Sequence, residues 1–96
     1  MEERIQLKHP AGKHAVTMAK DKYDIMKTAI VTNLKEHEEL THKELLEAIT
    51  NYFRKKKIKF QGAVEWYMES VKLDLEANKV IERTSAGSTQ KYKCVK

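Results

Sequence analysis

An α+β fold is what this 96-residue sequence predicts, on three observations. Short alternating segments lie near both ends, three stretches of helical apolar spacing lie between them, and a capping box opens the second of those stretches. The expected order is an N-terminal β-hairpin, three helices and a C-terminal β-ribbon. Helices two and three are separated by a short turn and followed by the ribbon. This is the layout of a winged helix-turn-helix-like domain, here a single domain over residues 1–96.

Residues 5–8 and 14–18 each alternate, with Ile5 and Leu7 on one face of the first and Val16 and Met18 on one face of the second. Between them His9-Pro10-Ala11-Gly12-Lys13 supplies a Pro that fixes a negative φ and a Gly that permits a positive one, so the segment reads as a hairpin. From Asp21 the period changes. Tyr23, Met26, Ile30 and Leu34 recur at helical spacing until the acidic run Glu36-His37-Glu38-Glu39.

Thr41-His42-Lys43-Glu44 is the capping box, in which the Thr hydroxyl and the Glu carboxylate each satisfy a backbone N–H of the first turn. Leu45, Leu46, Ile49, Tyr52 and Phe53 then share one face of helix two. Residues 58–61 form the connection to helix three, which is expected to open near Gly62 and to end at Asn78 in a left-handed conformation. Residues 80–84 and 89–95 read as two strands around a tip at residues 85–88.

A chain of this length buries roughly 60% of its unfolded surface, enough for one modest core. No apolar run reaches the roughly 18 residues of a membrane span, and Met1-Glu2-Glu3-Arg4 does not open a signal peptide, so the chain reads as cytoplasmic, with no membrane partner. A lone cysteine, Cys94, forms no internal disulfide.

The charge is local. Of 19 Lys and Arg residues against 14 Asp and Glu, five are Arg54, Lys55, Lys56, Lys57 and Lys59, in a stretch with no acid. Outside that stretch cations and acids balance at 14 each, so the net +5 belongs to this segment. As a functional element it is a phosphate-contacting patch, extended by ribbon cations that include Lys79, Arg83, Lys91 and Lys93. The competing reading is a solvated helix end whose cations offset the helix dipole.

Helix three is placed by stepping 100° per residue from Val64. Val64, Met68, Val71 and Leu75 form its core stripe, with Tyr67 at the margin. Trp66, Leu73 and Ala77 form a second apolar stripe on the opposite side, and Glu65, Glu69 and Glu76 an acidic edge relieved only by Lys72. Duplex DNA carries one negative charge per about 1.7 Å, so groove insertion of this helix is disfavoured. The second stripe needs a cover. The N-terminal hairpin is the preferred one, because a small domain needs the burial, and the same surface of another subunit or protein is the alternative.

Phe60-Gln61-Gly62, Trp66-Tyr67 and the block from Val71 through Ala77 to Arg83, with His9-Pro10-Ala11-Gly12-Lys13 upstream, resemble a family of short bacterial proteins. The resemblance implies a winged-helix-like fold and no established activity or catalytic residue. Where such a family leads one to expect a Gly closing helix three, this chain has Asn78-Lys79. Lys72, Asp74 and Glu76 within the block are expected to be an intrachain ion-pair set, the alternative being functional polar residues.

Enzymatic readings find little support. Gly12, Gly62 and Gly87 are each assigned to a turn, a helix start or a ribbon tip, and Gly12-Lys13 lacks the flanking residues of a phosphate-binding loop. His9, His14, His37 and His42 have no partners at metal-site spacing and read as solvated surface side chains. Cys94 has neighbouring lysines that favour a lowered pKa, but no His or Asn arrangement of a nucleophile. The expectation is a non-catalytic module with no cofactor, metal or small-molecule substrate. It touches nucleic acid weakly and non-specifically through residues 54–59 and the ribbon or, alternatively, associates with itself or another protein through Trp66, Leu73 and Ala77.

Overall fold

The computed structural model describes residues 3–12, 16–86 and 89–95, and it is an α+β fold with three helices and two small antiparallel sheets. Lys13, His14 and Ala15 of the expected hairpin, Gly87 and Ser88 of the ribbon tip, and Lys96 lie outside the described residues. β1 (Arg4–Gln6) pairs with β2 (Thr17–Ala19), with Ile5 opposite Met18. Both strands are shorter than the alternation suggested. Beyond the last regular pair a single bond from the Leu7 N–H to the Val16 carbonyl, 3.0 Å, continues the contact. Leu7 and Met18 enter the core while Val16 stays exposed.

α1 (Lys20–His37) buries Tyr23, Met26, Ala29, Ile30, Asn33 and Leu34. The spacing of these residues keeps them on one stripe, and the Asn33 amide is satisfied by the Ala29 carbonyl at 2.7 Å. The helix stops at Glu38, whose φ of 62° breaks the helical ladder. Glu39–Thr41 then forms β3, a strand the sequence reading did not anticipate. Three residues carry too little alternation to announce a strand. Their partner β5 (Thr89–Cys94) lies far along the chain, pairing Leu40 with Tyr92 and Thr41 with Lys91.

α2 (His42–Lys55) opens on the expected capping box: the Glu44 N–H donates to the Thr41 hydroxyl at 3.1 Å, and the Thr41 N–H to the Glu44 carboxylate at 2.9 Å. The Thr41 N–H, with a further contribution from the Thr41 hydroxyl, holds the Glu44 carboxyl below the usual carboxylate range. Leu45, Ile49 and Phe53 are buried, with Leu46 and Tyr52 packed against the same core. α3 (Val64–Ala77) begins two residues after Gly62 and buries Met68, Val71 and Leu75. β4 (Ile81–Ala86) and β5 complete a sheet in the order β3-β5-β4, with Ala86 opposite Thr89. Ser85 and Ala86 therefore belong to the strand rather than the tip.

α2 and α3 end in the same way. The Ile58 N–H bonds the Phe53 carbonyl and the Lys57 N–H that of Arg54; Val80 and Lys79 make the equivalent bonds to Leu75 and Glu76. These are Schellman ends, which need one left-handed residue, and here it is a lysine each time: Lys57 at φ 56° and Lys79 at φ 61°. Asn78, expected to take that conformation, has φ −89°. It instead spends its side chain on the Asp74 carbonyl at 3.0 Å, which leaves the turn to the next residue.

Candidate functional site

The basic segment falls on the last turn of α2 and the turn that follows it. α2 presents Leu45, Ile49 and Phe53 to the core, so Arg54 and Lys55 point away, and the left-handed Lys57 swings the chain outward before Ile58 returns to the core. Arg54, Lys55, Lys56, Lys57 and Lys59 are all exposed. Among the described residues none of them forms an ion pair. The Lys56 ammonium lies 6.0 Å from the Tyr52 ring centre, and Lys55 and Lys56 border a groove of about 550 Å³ between α1 and α2.

Lys79 is likewise exposed and without an ion pair among the described residues, but the other ribbon cations are placed otherwise. Lys93 Nζ is 3.2 Å from Glu82, Lys91 Nζ 3.7 Å from Glu39, and Arg83 2.9 Å from Glu76. Lys91 stands opposite Thr41, the residue that caps the start of α2, whereas the basic segment begins at the other end of that helix. At 1.5 Å rise per residue the two are about 20 Å apart. The structure therefore does not join Lys91 and Lys93 to residues 54–59 in one patch.

From the basic segment a line of rings leads to α3. Phe53, on the core side of α2, stacks on Phe60 with centres 5.3 Å apart and planes 4° from parallel. Phe60 and Tyr67 make a T-shaped pair with centres 5.1 Å apart, and Tyr67 and Trp66 another at 5.0 Å. Lys22, whose ammonium bonds the Gln61 carbonyl, lies 5.6 Å from the Phe60 ring centre and 5.0 Å from that of Tyr67. Gly62 permits this close packing. Its φ is 112°, and a Cβ there would stand 2.8 Å from Tyr67 Cε2.

Trp66 is 47% exposed, and Leu73 and Ala77 are half-buried. The preferred expectation, that the hairpin covers this stripe, is not met by the described residues of the hairpin, whose Val16 is itself exposed. The hairpin meets α3 at a different edge, where the Lys8 N–H donates to Asp74 at 2.7 Å and the Tyr23 hydroxyl donates to the other oxygen of the same carboxylate. Burial, that hydrogen bond and the Asp74 charge together hold the Tyr23 phenol well above its ordinary pKa.

The polar residues of α3 do not form one set. Glu76 pairs with Arg83, Asp74 is buried against Tyr23, and Lys72 is 1% exposed. Lys72 therefore does not relieve the acidic edge from the solvent side; its stem is in the core. Its ammonium lies 2.8 Å from His42 Nδ1, 3.3 Å from Glu69 and 4.1 Å from the centre of the Tyr92 ring. His42 in turn reaches Glu65 at 3.1 Å through Nε2 and Glu69 at 3.3 Å. It is no isolated surface histidine. The sequence signal available was its place at the first position of α2, directly after the capping Thr41.

Cys94 bonds the Val31 carbonyl at 3.8 Å, and burial pushes its thiol pKa up rather than down, outweighing the nearby Lys35. That is the opposite of an activated thiol. Among the described residues no group of three or more His, Cys, Asp or Glu side chains is arranged to hold a metal ion, and no helix is long and apolar enough to cross a membrane.

Compared with known proteins, residues 4–92 match DUF6958, described as a family of unknown function. No curated protein and no solved structure matches the chain.

Proposed function

We propose that this chain, which belongs to the DUF6958 family of unknown function, is a non-catalytic winged-helix-type module that contacts nucleic-acid backbone non-specifically. The element order from α1 through β3, α2 and α3 to the β4–β5 ribbon, with β3 added to the ribbon's sheet, supports the winged-helix reading. One observation carries the function: the five cations of residues 54–59 are exposed and, among the described residues, free of carboxylate partners, while the cations Arg83, Lys91 and Lys93 of the ribbon are paired. An unpaired cation gives its full charge to a phosphate, whereas a paired one must first release its carboxylate. Contact is therefore centred on the end of α2 and not on α3, whose edge carries Glu65, Glu69 and Glu76.

Fluorescence anisotropy with duplex DNA at low salt tests this, comparing the native chain with Lys55→Gln/Lys56→Gln/Lys57→Gln. The triple variant is expected to bind at least tenfold more weakly. Equal binding by the two proteins, or binding by neither, sinks the reading.

A second reading has its own observation. Trp66 is a large apolar side chain left 47% exposed beside half-buried Leu73 and Ala77, which suits association with another copy or another protein. Sedimentation of the free chain across micromolar concentrations tests self-association; a monomer throughout removes it.

A further inference from the structure

We infer that Trp66 is a base-stacking platform, and that this chain binds a single strand in preference to a duplex, its phosphates on residues 54–59 and a base on the indole. The inference rests on the backbone-contact reading and adds the class of ligand. Single-strand sites combine a cationic track with an aromatic face offered to an unstacked base, and such a face works only if it is held still. Trp66 is the chain's single tryptophan and its most exposed large apolar side chain among the described residues. It is also held. Tyr67 abuts it, Phe60 abuts Tyr67, and Phe60 stacks on Phe53, which is 5% exposed and belongs to the core.

The same line of rings runs from Trp66 back to the end of α2, where the basic segment lies. Lys59 directly precedes Phe60, and Lys22 lies over both Phe60 and Tyr67. Of the acids on the edge of α3, Glu69 pairs with Lys72 and Glu65 lies 3.1 Å from His42 Nε2. A duplex gains nothing from the indole, because its bases are already stacked. It also brings a second phosphate strand towards the acidic edge of α3. A single strand bends and offers its bases freely, and so can use the basic track and the indole together.

The test titrates the full chain with oligothymidylate, oligouridylate and a duplex of equal length, following anisotropy and Trp66 emission. Both single strands are expected to quench the tryptophan, and the pair of them distinguishes a DNA from an RNA preference. Trp66→Ala is expected to weaken single-strand binding about five- to hundredfold while leaving duplex binding unchanged, and Trp66→Phe to recover much of it. Urea unfolding of both variants verifies that each remains folded. If Trp66→Ala leaves single-strand affinity intact, or lowers single-strand and duplex affinity alike, the stacking inference falls, though the backbone reading survives provided Lys55→Gln/Lys56→Gln/Lys57→Gln still weakens binding. If emission changes with protein concentration and not with oligonucleotide, Trp66 serves self-association and the inference falls. Binding of no nucleic acid removes both readings.

Discussion

Tyr23 and Asp74 are 51 residues apart in sequence, and the phenol of the first donates a hydrogen bond to the carboxylate of the second inside the core. Asp74 is 3% exposed, and its other oxygen accepts the Lys8 N–H at 2.7 Å. One carboxylate thus ties α3 to α1 and to the segment leaving β1. A buried carboxylate is tolerated only with such partners, so the arrangement fixes the relative positions of three parts of the chain.

Tyr23→Phe leaves an oxygen of Asp74 unpaired, with an expected loss of about 1–3 kcal/mol in urea unfolding at neutral pH. The pH dependence follows from the raised phenol. Its folded pKa lies above the unfolded value near 10, so its contribution is full below pH ~10 and is lost as pH rises towards the folded value. The native chain is expected to lose stability above pH ~10. Tyr23→Phe should lose less over the same interval, and equal alkaline slopes for the two proteins contradict the assignment.

Lys72 is expected to be a stability residue. Its stem is buried and its ammonium sits over Tyr92, so Lys72→Ala should cost about 2–4 kcal/mol through the cavity and the lost cation–ring contact. Lys72→Met refills the space and should recover about half. Denaturant midpoints of the two variants give the comparison, and an unchanged midpoint for Lys72→Ala contradicts it.

Lys79 holds a left-handed conformation that suits glycine. Lys79→Gly should stabilise the chain by about 1 kcal/mol, raising Tm by about 4–8 °C, whereas Lys79→Ala should not, because alanine keeps the Cβ. Thermal unfolding by circular dichroism separates the two.

If all five cations of residues 54–59 meet duplex phosphates, affinity should fall with salt at a log–log slope of about −4.5. Lys55→Gln/Lys56→Gln/Lys57→Gln should reduce that slope to about −1.8. Lys91→Gln/Lys93→Gln should leave it unchanged, since those cations are paired to Glu39 and Glu82 about 20 Å away. A shallower slope for the ribbon variant would place phosphate on the ribbon as well.

The sequence alone determined the three helices, the hairpin pairing at both ends and the start of α2. These follow from apolar period and from bonds between residues three or four apart, as at Thr41 and Glu44, which are legible wherever the neighbours are legible. It also located the five cations and the second apolar stripe of α3. Tertiary structure alone decided that Glu39–Thr41 is a strand, because its hydrogen bonds go to Lys91, Tyr92 and Lys93. It placed Lys72 inside rather than on an acidic edge and Asp74 inside rather than in an ion-pair set, since a helical wheel gives direction but not what stands in that direction: Tyr92 and His42 for one, Tyr23 and Lys8 for the other. It separated the basic segment from the ribbon by the length of α2, and left Trp66 open because the hairpin docks at Asp74. Both outcomes depend on how elements distant in sequence pack, which no local pattern encodes.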